Sequence, residues 1–142
     1  MSNSCAWLPP LLTFSGDLDE WHNYIEKVYE AFKKDFIYSY PELYGRRVGI
    51  RKYPIENSKE QAFFHLTTMG ENNTDREYDL RRCERIAWPK PIIEHAEELK
   101  IWKSSRKTKR GQRERLNIAT PSFDYLVIVE PRKDFYTLIT AF

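Results

Sequence analysis

Tyr125-Leu126-Val127-Ile128-Val129 and, beyond Pro131, Phe135-Tyr136-Thr137-Leu138-Ile139-Thr140-Ala141-Phe142 are the two runs whose reading decides the fold. Both are short and rich in β-branched and aromatic residues, and a proline stands between them, as between neighbouring strands. Working back from them, the pattern predicts strands at about 99–105, 112–118, 124–130 and 134–141. Gly111, Pro121 and Pro131 mark the joints, which is the order of an antiparallel meander.

Upstream the periodicity changes. Leu18, Trp21, Ile25, Val28, Phe32 and Phe36 recur at three- and four-residue steps and predict one amphipathic helix over about 18–37. Asp17 is placed to cap it, and Pro41 and Gly45 punctuate its exit. Arg46 to Tyr53 and Gln61 to Thr68 read as strands. Asp75 is placed to cap a short helix to about Ile86, and Pro91 to open another over Ile92 to Ala96. Helices come early and strands late, so the expected class is α+β: N-terminal helices packed on an antiparallel β-meander of about four to six strands. Residues 1–16 read as a lead-in or flexible tail, and 17–142 as a single domain.

Composition bounds the rest. The chain has 142 residues, 41% of them apolar, 15% aromatic and 31% charged, with a mean hydropathy of −0.69. These are values of a soluble globular protein. No apolar run approaches the roughly 20 residues of a membrane-spanning helix, and Met1 to Pro10 lacks the pattern of a signal peptide. The expected setting is therefore cytoplasmic, with Cys5 and Cys83 as reduced thiols. His22, His65 and His95 are scattered and no Cys-x-x-Cys occurs, so no metal site or cofactor is expected. Charge is uneven. Residues 1–45 carry three Lys/Arg against seven Asp/Glu, a net −4, and the remainder 20 against 14, a net +6. Attraction to an anionic partner belongs to the second part.

That attraction is concentrated in one predicted hairpin. Lys100, Lys103, Arg106, Lys107, Lys109, Arg110, Arg113 and Arg115 crowd it, with only Glu114 opposing. A one-sign loop repels itself unless a partner offsets the charge. Phosphates of a nucleic acid fit, and Trp102 supplies a stacking face. An acidic protein, or a solvated tip that aids solubility, fits the same charges. His65 sits in a predicted strand between Phe64 and Leu66, and alternation turns it away from the apolar side. An ordinary imidazole titrates near ~6.5 and suits either proton transfer of metal-free RNA cleavage, although a lone histidine is also a common structural residue. Arg81, Arg82 and Arg85 share a predicted helix. They are placed either to fork onto phosphate oxygens or to pair with Glu77, Asp79 and Glu84. Thr140, Leu138 and Tyr136 are expected on one face of the last strand, where Thr140 either reflects β-propensity or bonds the scissile phosphate, and Tyr136 either stacks on a base or donates a proton.

The order Phe63-Phe64-His65-Leu66-Thr67-Thr68, Leu80-Arg81-Arg82-Cys83-Glu84-Arg85-Ile86-Ala87-Trp88-Pro89, Asp124 to Val129 and Tyr136 to Phe142 resembles phage-associated members of the barnase–EndoU–colicin–RelE-like nuclease superfamily. The resemblance covers roughly residues 45–142. It implies a small helix-plus-meander, RNase-like domain and a metal-independent, toxin-like endoribonuclease that yields 2′,3′-cyclic phosphates. It also implies RNA as substrate and a cognate antitoxin or immunity protein as partner. The matching active-site positions are His65, Arg81 or Arg82, and Thr140, with Tyr136 as an addition. Arg85, Trp102 and the basic hairpin then bind RNA. The alternative from another class is a non-catalytic nucleic-acid-binding or regulatory module that uses the hairpin 100–115.

Overall fold

In the computed structural model, which describes residues 5–70 and 77–142, a 3-10 turn at Leu18–Glu20 leads into α1, Trp21–Phe36. Then come β1, Glu42–Leu43, and β2, Arg46–Gly49. The helix α2, Gln61–Thr67, runs into β3, Thr68–Met69, which pairs with β4, Glu77–Tyr78. Two short helices follow: α3, Leu80–Glu84, and α4, Pro89–Glu94. The chain ends in β5, Lys100–Thr108, β6, Gly111–Ala119, β7, Leu126–Pro131, and β8, Tyr136–Ala141.

The class is α+β, as the order of patterns predicts. β5 to β8 form an antiparallel meander. β2 joins its far edge parallel to β8, with Val48 opposite Tyr136, so the six-stranded sheet β1-β2-β8-β7-β6-β5 is mixed. One sheet face is covered. Leu116, Ile118, Val127, Val129 and Leu138 are buried there with Ile92 and Ile93 of α4 and with Phe63 and Phe64 of α2. α1 closes the core with Tyr24, Ile25, Val28, Phe32 and Phe36. Leu18, expected on that face, is 87% exposed because the 3-10 turn changes the phase of the first residues, and Tyr24 takes its place.

The predicted strand Gln61 to Thr68 is a helix up to Thr67. Its apolar and β-branched composition reflects near-complete burial: Gln61, Ala62, Phe63, Phe64, Leu66 and Thr67 are all buried. Its first N–H groups are satisfied from outside, by Gln61 N donating to Lys52 O (3.0 Å) and Ala62 N to Arg51 O (2.9 Å). The two threonines, residues of high β-propensity, bond backward within the helix. Thr67 Oγ1 donates to Phe63 O (2.8 Å) and Thr68 Oγ1 to Phe64 O (2.6 Å).

The proposed capping residue Asp75 lies outside the described residues. Asp79 caps α3 instead, its carboxylate accepting from Arg81 N (3.0 Å) and Arg82 N (3.4 Å). The lead-in from Cys5 lies along the helices. Leu12 N donates to Glu84 O (2.9 Å), Tyr24 Oη to Leu12 O (2.8 Å) and Trp88 Nε1 to Pro9 O (2.9 Å). Cys5 and Cys83 are both free thiols.

Candidate functional site

Antiparallel partners share a sheet face, so the register sorts the cationic hairpin into two sides. Lys103 and Lys107 lie on the side that continues the core, with Glu114 3.9 Å from the Lys103 ammonium. Lys100, Trp102, Ser104 and Arg106 lie on the outer side, opposite Ala119, Asn117, Arg115 and Arg113. Lys109 and Arg110 form the turn, closed by Thr108 Oγ1 donating to Gly111 O (2.7 Å). Gly111 there has a φ of 110°, a conformation that glycine adopts without strain. Trp102 is 40% exposed and meets the Phe123 ring at 5.9 Å, and the Lys100 ammonium sits 5.0 Å over the same ring. Arg106 and Arg113 are directly opposed, a like-charge pair that is unfavourable by itself.

His65 is on α2 rather than a strand, and is half-buried. α2 packs beside the end of β8, where the Thr140 hydroxyl donates to the His65 carbonyl at 3.0 Å. Arg82 reaches the same junction from α3. Its Nη1 donates to Thr68 O at 2.5 Å, and its guanidinium lies 5.3 Å over the Phe142 ring. Asp79 holds its Nε side at 3.6 Å. Arg81 Nη2 donates to the Asp124 carbonyl, two residues before β7, where Leu126 pairs with Phe142. A guanidinium carries five N–H donors, so neither contact exhausts the group. Backbone-carbonyl and ring contacts thus tie four candidates to the surroundings of one end of β8.

Tyr136 does not join them. A bulge at Ile128/Val129 shifts the register, so that Glu130 faces Thr137 and Ile128 faces Thr140. Thr137 and Thr140 therefore share the outer face, and Tyr136 and Leu138 the covered one. The expectation of one face for Thr140, Leu138 and Tyr136 fails because the bulge inserts a residue. Tyr136 lies at the other end of β8. There it lines a cavity of about 480 Å³ with Tyr44, Ile101, Lys103 and Leu116.

Arg85 is held structurally. Nη1 donates to Arg81 O (3.1 Å), and the guanidinium stacks 5.1 Å over Trp88. Its Nε is buried with no acceptor among the described residues. His95 is also structural, with Nδ1 2.8 Å from Pro91 O and its ring stacked on Trp7 at 4.0 Å.

One group escaped the pattern reading. Glu130, at the end of β7 and 6% exposed, takes Arg115 Nε at 2.9 Å and Arg132 Nη1 at 2.8 Å. Burial pushes its carboxyl up, but the bonds from Arg132 and Arg115 outweigh that and hold it below the usual carboxylate range. In sequence Glu130 looks like a strand-end surface acid. The available signal was spacing: Arg115 and Glu130 both fall on the outer face once β6 and β7 are paired.

Among the described residues, no group of three His, Cys, Asp or Glu side chains is placed to hold a metal ion, and no helix is long and apolar enough to cross a membrane. The chain matches no protein-family model, no curated protein and no solved structure.

Proposed function

We propose that the protein is a metal-independent, toxin-like endoribonuclease acting in the cytoplasm, and that it is restrained by a cognate antitoxin or immunity protein. One observation carries this reading: His65, Arg81, Arg82 and Thr140, spread over 76 positions of the chain, lie around the end of β8, on a sheet whose opposite end extends into the exposed cationic hairpin tip.

The reaction needs two proton transfers. The 2′-hydroxyl loses its proton as its oxygen attacks phosphorus. The 5′-oxygen gains a proton as its bond to phosphorus breaks, leaving a 2′,3′-cyclic phosphate and a 5′-hydroxyl. His65 is the group for proton transfer. Arg81 and Arg82 present the remaining guanidinium donors to the phosphoryl oxygens, where negative charge builds in the transition state. Thr140 is a positioning residue that ties the His65 backbone to β8. The hairpin grips the RNA at a distance from the cut, toward the other end of the sheet, and each neutralised phosphate releases counterions.

A second reading rests on a different observation. Of the eight hairpin cations all but Arg115 are exposed, and among the described residues only Arg115, bonded to Glu130, and Lys103, near Glu114, have an acidic partner, which suits a non-catalytic RNA-binding module whatever His65 does. Incubation with total bacterial RNA in EDTA separates the two. Fragments with 2′,3′-cyclic ends, lost in His65→Ala and reduced in Thr140→Val, support the nuclease. Intact RNA with both proteins, or equal cleavage by His65→Ala, sinks the assignment and leaves the binding module.

A further inference from the structure

The outer face of the hairpin contains a concavity remote in role from His65. Thr108, Lys109, Arg110, Arg113, Glu130 and Arg132 line about 370 Å³ of space. That is the liquid volume of roughly a dozen waters. Four cations face one carboxylate, and that carboxylate is already neutralised by Arg115 and Arg132. Glu130 therefore serves to hold two guanidiniums still rather than to cancel the site. A buried carboxylate fixes the Nε edge of Arg115 and one Nη of Arg132, which leaves each fork an edge with no acceptor among the described residues. Arg113 stands two residues from Arg115 on the same face of β6, and Arg106 stands directly opposite Arg113. The row has a repulsive Arg106–Arg113 contact that an anion lodged between them would relieve.

We propose that this concavity is a phosphate-binding subsite for a single-stranded nucleic acid. Arg113 and Arg132 clamp one backbone phosphate, Arg106 takes the next, and Trp102 on the same face offers its ring to a base. The occupant is a polymer rather than a small anion because the cations continue past the concavity along the strand. The inference rests on the reading that this protein binds RNA, but not on the reading that it cleaves it.

The test uses a fluorescent 2′-O-methyl oligoribonucleotide, which lacks the attacking hydroxyl, so that binding is measured apart from cleavage. Arg113→Gln is expected to weaken binding about 10-fold and to reduce the slope of log K against log salt by about 0.7, the value of one single-strand phosphate. Lys34→Gln, the same charge loss at an exposed position of α1, is expected to change affinity by less than about 2-fold, a bystander's share of the screened general field. Equal losses in the two variants overturn the subsite. Inorganic phosphate that binds the parent but not Arg113→Gln, with oligonucleotide affinity unchanged by that substitution, overturns the polymer assignment in favour of a small phosphate. Cleavage of natural RNA alongside Arg113-independent binding removes the subsite alone. Arg113-dependent binding without cleavage removes the nuclease reading alone.

Discussion

Glu130→Gln isolates the part of the outer face that is ordered by charge. The substitution keeps shape and one acceptor oxygen but deletes the charge between Arg115 and Arg132. It also puts an NH₂ donor where a second guanidinium bonds. The two contacts, at 2.9 and 2.8 Å, are charge-assisted, and each such bond contributes about 1.5–3 kcal/mol. The full sum overstates the loss. Side-chain exposures of 17% for Arg115 and 31% for Arg132 let water resolvate both guanidiniums once the carboxylate is gone. The expected destabilisation is roughly 2 kcal/mol, which at about 2.1 cal/mol/K per residue lowers Tm by about 7 °C.

The pH dependence makes the prediction sharper. The folded-state pKa of Glu130 is depressed by Arg132 and Arg115 against the opposing effect of burial. A depressed carboxylate contributes stability that is complete above its unfolded pKa, near ~4.3, and is lost as pH falls through the folded value. Gln does not titrate. Urea titrations of parent and variant at pH 7, 5, 4 and 3.5 should therefore show a gap that is full at pH 7 and 5 and shrinks below about 4. A gap of the same size at pH 3.5, or none at pH 7, refutes the view that the charge of Glu130 orders this face.

Three further outcomes follow from other parts of the molecule. Phe63→Ala should cost about 3–5 kcal/mol by urea unfolding, because the ring is fully buried against Tyr29, Phe32 and Phe64 at 5.1, 5.5 and 5.5 Å. Asp79→Ala should cost about 1–2 kcal/mol through loss of the α3 cap, and Asp79→Asn markedly less; equal losses would assign the effect to the Arg82 ion pair instead. Cys83 is fully buried, and burial, with Asp79 and Glu84 adding to it, pushes its thiol up to about 12. A disulfide reagent at pH 8 should thus modify half-buried Cys5 and leave Cys83 untouched until urea unfolds the chain.

The parts legible in the sequence were those whose signals are local. The meander reads directly from runs of β-branched residues separated by Gly111, Pro121 and Pro131, and α1 from its three- and four-residue spacing. The crowding of cations on one hairpin also needs no tertiary information. The parts not legible depend on distant contacts. α2 carries apolar residues almost all round because it is wedged against α1, α3 and β8, and that composition is shared by a buried strand. The parallel pairing of β2 with β8 joins Val48 to Tyr136 across most of the chain. Nothing around either residue announces it.

The bulge at Ile128/Val129 shows why site reading from spacing is fragile. One additional residue in β8 moves Thr140 to the face opposite Tyr136, and a set of side chains assumed to work together becomes two sets on opposite faces of one strand. The same shift sets Thr137 and Thr140 on the outer face with Glu130, Arg115, Arg113 and Trp102. Division of labour then follows from geometry. Where β6, β7 and β8 pair, the covered face is occupied by core side chains, so a long anionic chain reaches that part of the sheet along the outer face or its rim. His65 stands at the rim beside the end of β8, and the clamp of Arg113 and Arg132 stands on the outer face toward the hairpin tip. A polymer that lies across the outer face can engage both, whereas a mononucleotide seated in either would leave the other empty. The proposed activity should accordingly rise with substrate length until both are spanned. A cleavage rate per site that is independent of oligonucleotide length, measured with a series of RNAs of increasing length, would show that the two act apart.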